Sequence, residues 1–174
     1  MYRLLFILLA ASIASCNISV SGEVNTPGNS KAVKEDLQTG LRTSANGLSF
    51  TDHYLVNDKD EALVITQFQP GNKISIVLTG VQNFKLDNGH AFPGLSLTVT
   101  DASGKKVMET GNLFESYTDG FTEKDAATLR ASLTIGPPLE QGDYQLNAKF
   151  WDTKSENSIN STLKFSVITA EDYD

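Results

Sequence analysis

Leu95-Ser96-Leu97-Thr98-Val99-Thr100-Asp101-Ala102-Ser103-Gly104-Lys105 is the stretch on which the fold turns. Leu95, Leu97 and Val99 alternate with Ser96, Thr98 and Thr100, a period of two that sets apolar side chains on one face of a strand and hydroxyls on the other. Asp101 to Gly104 is turn chemistry, because Asp can bond the backbone two residues on and Gly tolerates positive φ. The chain then returns through Lys105 to Met108, which makes a hairpin with one dry and one wet face.

The same pattern extends in both directions. Leu129 to Ile135, Tyr144 to Trp151 and Thr162 to Val167 read as strands, separated by Gly136-Pro137-Pro138, Gly142-Asp143 and the polar run Lys154 to Ser161. On the N-terminal side, Leu37, Leu41, Leu48, Phe50, Tyr54 and Leu55 alternate with polar residues from about Asp36 onward. Ala62 to Phe68 is a compact apolar run closed by the turn Gln69-Pro70-Gly71-Asn72. In Lys73 to Thr79, Ile74, Ile76 and Leu78 share a face, while Val77 breaks the alternation and predicts a strand covered on both sides. Asp87-Asn88-Gly89, between Phe84-Lys85-Leu86 and Ala91-Phe92, suits a tight hairpin. One short helix is expected over Glu123 to Leu129, with Thr122 as cap and Asp125 three residues on. About eight strands without long helices predict an all-β fold, an antiparallel immunoglobulin-like β-sandwich with one short connecting helix, with a barrel or jelly roll as the alternative.

The N-terminus carries different information. Arg3 precedes an apolar run from Leu4 to Ala11, and the small residues Ala14 and Ser15 lead to Cys16, the single cysteine of the 174 residues. This is the layout of a secretory signal peptide. Ile13-Ala14-Ser15-Cys16 resembles the lipobox of bacterial lipoproteins. That resemblance implies removal of residues 1–15 and lipidation of Cys16 by diacylglycerol and fatty acyl groups such as palmitate. Each buried methylene contributes about 0.8 kcal/mol, so two or three acyl chains hold a domain on a membrane without a transmembrane helix. Asn17 stands where the enterobacterial pattern uses Asp for inner-membrane retention, which favours the outer membrane of the bacterial cell envelope. Residues 16–35 are rich in Ser, Gly, Asn and Thr and are expected to be a flexible tether, with the sandwich domain over residues 36–170.

The closing segment also resembles bacterial immunoglobulin-like modules. Its Gly142-Asp143-Tyr144, Asp152 and Phe165-Ser166-Val167 match a Gly-Asp-Tyr strand, a following Asp and a final Phe-x-Val strand. The likeness runs over about 75 residues from Leu95. It implies that Tyr144 packs at a strand corner and that Phe165 and Val167 face the core. The chain is similar as well to small exported lipoproteins of Bacteroidetes-type bacteria, a setting that implies no activity.

Composition excludes some partners. The chain has 14 basic and 21 acidic residues, and loss of Arg3 with the signal leaves a balance of −8. Such a surface repels phosphate backbones, so nucleic acid is not expected as a partner. Without disulfides, an exported domain depends on its own core.

Catalytic and metal chemistry have little to stand on. His53 and His90 lack a second histidine at ligand spacing and are expected to be surface or hydrogen-bonded structural residues. There is no Gly-x-Ser-x-Gly elbow and no phosphate loop. Asn57-Asp58-Lys59-Asp60-Glu61 departs from the calcium-loop spacing and reads as a solvated turn. Glu115, Asp119, Glu123 and Asp125 form a second acidic group. No cofactor and no metal are expected. The chain is read as non-catalytic.

Aromatic residues are the remaining pointers. Phe114, Tyr117 and Phe121 fall in a loop rich in Gly, Asp, Ser and Thr, and Trp151-Asp152 ends a strand. Aromatic faces stack on sugars and neighbouring polar side chains bond hydroxyls. Tyr117, Phe121, Trp151 and Asp152 are therefore the candidate ligand contacts. The expected function is binding of another envelope component, a protein or a glycan, by a membrane-anchored lipoprotein. Two alternatives remain open at this level: an accessory subunit of an envelope assembly, and a hydrolase using a carboxylate pair such as Glu115 and Asp119.

Overall fold

The computed structural model describes residues 22–24 and 31–169. The expected signal peptide, Cys16 and residue 170 lie outside the described residues, as does most of the expected tether. In chain order the elements are β1 (Gly22–Val24), β2 (Lys31–Glu35), β3 (Arg42–Asn46), β4 (Asp52–Val56), β5 (Gln67–Phe68), β6 (Lys73–Thr79), β7 (His90–Ala91), β8 (Pro93–Asp101), β9 (Lys106–Glu109), β10 (Phe121–Thr122), α1 (Glu123–Ala126), β11 (Thr128–Thr134), β12 (Gly142–Asp152) and β13 (Ser158–Val167).

Two sheets make an antiparallel β-sandwich. The larger is ordered β1-β2-β3-β13-β12-β8-β9, with β5 on the far end of β13, and the smaller is β11-β6-β4. All these pairings are antiparallel except β5 with β13. The deciding hairpin is as expected: β8 pairs with β9 through a turn in which Asp101 Oδ1 accepts from the Ser103 and Lys105 amides. Along β12, Leu146, Ala148 and Phe150 are buried, while Asn147 and Lys149 are exposed. Along β13, Ile159, Ser161, Leu163, Phe165 and Val167 are the buried set. Facing them, β6 is buried over Ile74 to Leu78 because it is the central strand of its sheet and is covered on both faces. The apolar residues of both sheets form one cluster, and each large aliphatic side chain so buried contributes about 1.5–3 kcal/mol.

The corner expected at Tyr144 is present. Its hydroxyl donates to the Glu140 carbonyl at 3.0 Å and its ring stacks on Phe165 at 5.7 Å. The Asn88-Gly89 turn is also as expected: both residues have positive φ, 51° and 80°, and Asp87 and His90 exchange backbone hydrogen bonds.

Five segments differ from expectation, each because tertiary pairing overrides a local signal. Ser158–Ser161, read as the end of a polar connection, begins β13 and pairs with both β12 and β3. Lys31–Glu35, read as the end of a flexible tether, is strand β2, paired residue for residue with β3 and flanked on its other side by β1, also from the expected tether; polar segments find a place toward the end of an antiparallel sheet, where one face can stay wet. Only Gln67 and Phe68 of the Ala62–Phe68 run form a strand. The run begins beside β4, through Leu63 donating to the Leu55 carbonyl, and ends beside β13, where Ser166 donates to the Thr66 carbonyl. It therefore crosses between the sheets, leaving Val64 60% and Ile65 49% exposed. Phe84-Lys85-Leu86 is not a strand, because the Lys85 amide is taken by Asp152 Oδ2 and the Asn83 carbonyl by Asn157; β7 pairs with β10 instead. The helix stops at Ala126, since Thr128 and Leu129 join the ladder with β6. Thr122 caps it as expected, accepting from the Asp125 amide and donating to its carboxylate.

Candidate functional site

Trp151 sits near the end of β12 on the face turned away from the core, between buried Phe150 and Asp152. Its register partner is Gly94 of β8. A Cβ at position 94 would overlap the indole, so the ring lies directly on the glycine backbone, and the residue as a whole is half-buried. Lys149, two residues back on the same face, holds its Nζ 5.8 Å from the ring centroid. Around them lies a shallow depression of about 230 Å³ lined by Ser96, Lys149, Ser155, Glu156, Asn157 and Ser158. A flat aromatic surface fringed by hydroxyl, amide, ammonium and carboxylate groups is suited to a ring that presents C–H on one side and hydroxyls at its edge.

Asp152 is not available to a ligand, contrary to the sequence expectation. It is 0% exposed. Its Oδ2 accepts from the Lys85 amide at 2.8 Å and from Ser155 Oγ at 2.6 Å, and its Oδ1 from the Lys154 amide at 3.0 Å. It is a clasp that fastens the β12–β13 turn to the segment after Asn83, and so shapes one wall of the Trp151 depression.

Tyr117 and Phe121 do come together, with ring centroids 5.0 Å apart, and Phe114 completes the group at 5.9 Å from Tyr117 and 5.7 Å from Phe121. Phe114 packs against the core, Phe121 is half-buried on β10, and Tyr117 is 55% exposed. Gly120, with φ of 70°, makes the turn that lets this loop pass against the Ala91 carbonyl and Phe92. The candidate aromatic residues thus fall into two groups: a loop cluster built on Phe114, and the sheet-borne Trp151.

His53 is a buried structural residue, 4% exposed. Its Nδ1 is 2.6 Å from Thr43 Oγ1, which is 2.8 Å from Ser161 Oγ, so one polar chain ties β4 to β3 and β13 across the sandwich. Its Nε2 is buried with no partner among the described residues. Burial holds the imidazole below its ordinary value; Lys34 adds to this, while Asp52 and Asp36 act the other way. His90 sits at the turn, its Nδ1 3.1 Å from the Asn88 carbonyl.

The acidic loop is organised internally. Asn57 Oδ1 accepts from the Lys59 and Glu61 amides, its Nδ2 donates to Glu61, and Asp60 pairs with Arg130 at 2.6 Å. Glu115 and Asp119 are both exposed, so neither has the desolvated setting that a carboxylate acid requires. Among the described residues no three His, Cys, Asp or Glu side chains are grouped as metal ligands, and no helix is long and apolar enough to cross a membrane.

The partners of Trp151 on the neighbouring strands, Gly94 and Ser158, and Ser96 opposite Lys149 were not among the sequence candidates. Strict alternation in Leu95–Thr100 and Tyr144–Trp151 gives their faces, but not the register that sets Trp151 opposite Gly94.

No family model matches the chain, and no curated protein matches it. Among solved structures it is similar to the C-terminal domain of wzt, at 10% identity over 83% of this chain and 81% of that one, with a TM-score of 0.48. It is also similar to the PmoD soluble domain from Methylocystis sp., at 6% identity over 70% and 96% of the two chains and a TM-score of 0.35. A further similar structure is an AA10 lytic polysaccharide monooxygenase from Streptomyces lividans, at 15% identity over 63% and 62% and a TM-score of 0.37.

Proposed function

We propose that this chain is a non-catalytic binding domain of a bacterial envelope lipoprotein, held through Cys16 on the outer membrane, and that it binds an envelope glycan on Trp151. The observation that carries the reading is the indole lying on Gly94 on the outward face of the sheet, half-buried, with the Lys149 ammonium over its ring and a fringe of six polar side chains around it. A core tryptophan would be enclosed on both sides; this one is half-buried on the outward face of a strand. Stacking between two aromatic rings is worth about 0.5–1.5 kcal/mol beyond area burial; a sugar face held on the indole with energy of that order gains up to roughly tenfold in affinity.

The test is a glycan array probed with the wild type and Trp151→Ala, with thermal melting as the folding control. Retention of a defined glycan by the wild type, weakened several-fold or more in the folded variant, supports the reading. Equal retention by both proteins sinks it. The anchor is tested separately: Cys16→Ser is expected to leave the membrane fraction and to migrate unprocessed, whereas normal processing and membrane recovery would exclude lipidation at this residue.

The accessory-subunit reading draws on a separate observation, the free outer edge of β11 among the described residues.

A further inference from the structure

We propose that β11 is a self-association edge, pairing antiparallel with β11 of a second copy of this chain about a two-fold axis through Ala131. β11 is the outermost strand of the smaller sheet, and no strand lies on its far side among the described residues. Its ladder with β6 is continuous from Thr128 to Thr134, with no bulge and no proline. Edge strands of this length are ordinarily blunted by proline, a bulge or an outward charge. The one charge here, Arg130, is drawn to Asp60 at 2.6 Å. Asp60 follows β4, which lies on the opposite side of β6, so the guanidinium lies across the sheet and not off its edge.

The backbone phase follows from the end of the ladder. The Ile135 amide donates to the Asn72 carbonyl at 2.8 Å, in the same register as the pairs before it. Alternation in an antiparallel pair then turns the amides of Leu133, Ala131 and Leu129 toward β6. Those of Thr128, Arg130, Ser132 and Thr134 are turned outward, and none of the four has a backbone partner on that side among the described residues.

The sequence of this edge selects the occupant. Thr128-Leu129-Arg130-Ala131-Ser132-Leu133-Thr134 reads almost identically in both directions. Antiparallel pairing about Ala131 sets Thr128 against Thr134, Leu129 against Leu133 and Arg130 against Ser132, each repeated by the two-fold. Apolar residues meet apolar ones on the core side, and polar residues meet polar ones outside. No like charges stand directly opposite, where they would oppose pairing. An isologous interface needs this self-complementarity. The product is one six-stranded sheet running β4-β6-β11 into β11-β6-β4 of the second copy.

Two measurements test this on the full chain in detergent. Sedimentation from roughly 10 μM to 1 mM is expected to show a monomer–dimer equilibrium. Ser132→Pro should weaken it at least about tenfold, because it removes an outward amide while sparing the backbone bonds to β6; of the contacts with β6 it gives up only the Ser132 Oγ–Ser75 Oγ hydrogen bond. Should that variant fail to fold, hydrogen exchange of the wild type decides: the amides of Arg130, Ser132 and Thr134 are expected to gain protection as protein concentration rises. A chain that stays monomeric throughout, with those amides exchanging freely, overturns the proposal. So does a dimer that Ser132→Pro leaves intact, or protection that appears only when a different envelope protein is added.

Discussion

Two adjacent residues on β12 have opposite fates, and the difference is measurable. Asp152 is enclosed and accepts three hydrogen bonds. Asp152→Ala strands the Lys85 and Lys154 amides and is expected to cost about 3 kcal/mol, given roughly 1–3 kcal/mol for each buried group left unpaired; urea unfolding checks this. Trp151 is bonded to nothing in the core, so Trp151→Ala should cost much less in the same experiment. His53 adds a pH dependence. Its folded-state pKa lies below the ordinary value of 6.5, so below that pH the unfolded chain takes up a proton that the folded chain refuses. Stability is then full above pH 6.5 and falls as pH drops toward the folded-state value. Melting temperatures of the wild type are expected to decline over that window more steeply than those of His53→Gln, and parallel curves would assign the acid sensitivity to other groups.

At the level of elements, β8 and β12 make the platform together. Gly94→Ala places a methyl where the indole lies; the ring must swing off the sheet. Glycan retention should fall as far as in Trp151→Ala, with intrinsic tryptophan fluorescence shifting to report the displacement. Most strands were legible in the sequence because an alternating run such as Leu95–Thr100 carries both its conformation and its buried face. What escaped was set by partners far along the chain. Ala62–Phe68 has the composition of a buried strand, yet its Val64 and Ile65 are exposed where the segment passes from one sheet to the other. Ser158 to Ser161 has the composition of a loop, yet it pairs with both β3 and β12. At the site, residue type alone pointed to Trp151 and Asp152 alike. Only the backbone of Lys85, 67 residues away, separates a ligand contact from a clasp.

For the whole molecule, the sandwich carries its two proposed surfaces on different layers, Trp151 on the larger sheet and the β11 edge on the smaller. Under the proposed Cys16 anchor, copies confined to one membrane would meet at a raised effective concentration, so pairing through a modest edge would become effective there before it does in dilute solution. β1, the outermost described strand, is held on β2 by a three-residue pairing, and once that pairing opens a pull from the N-terminal side reaches β2. Because Lys31–Glu35 lies antiparallel along β3, a tug from the N-terminal side directed along the strand axis is shared by the whole five-residue ladder in shear. A tug across that axis instead peels the same ladder from the Lys31 end, one rung at a time. The mechanical toughness of the attachment therefore depends on the direction of pull, and in the peeling direction β3 is laid bare as Ala32 leaves its contact with the core.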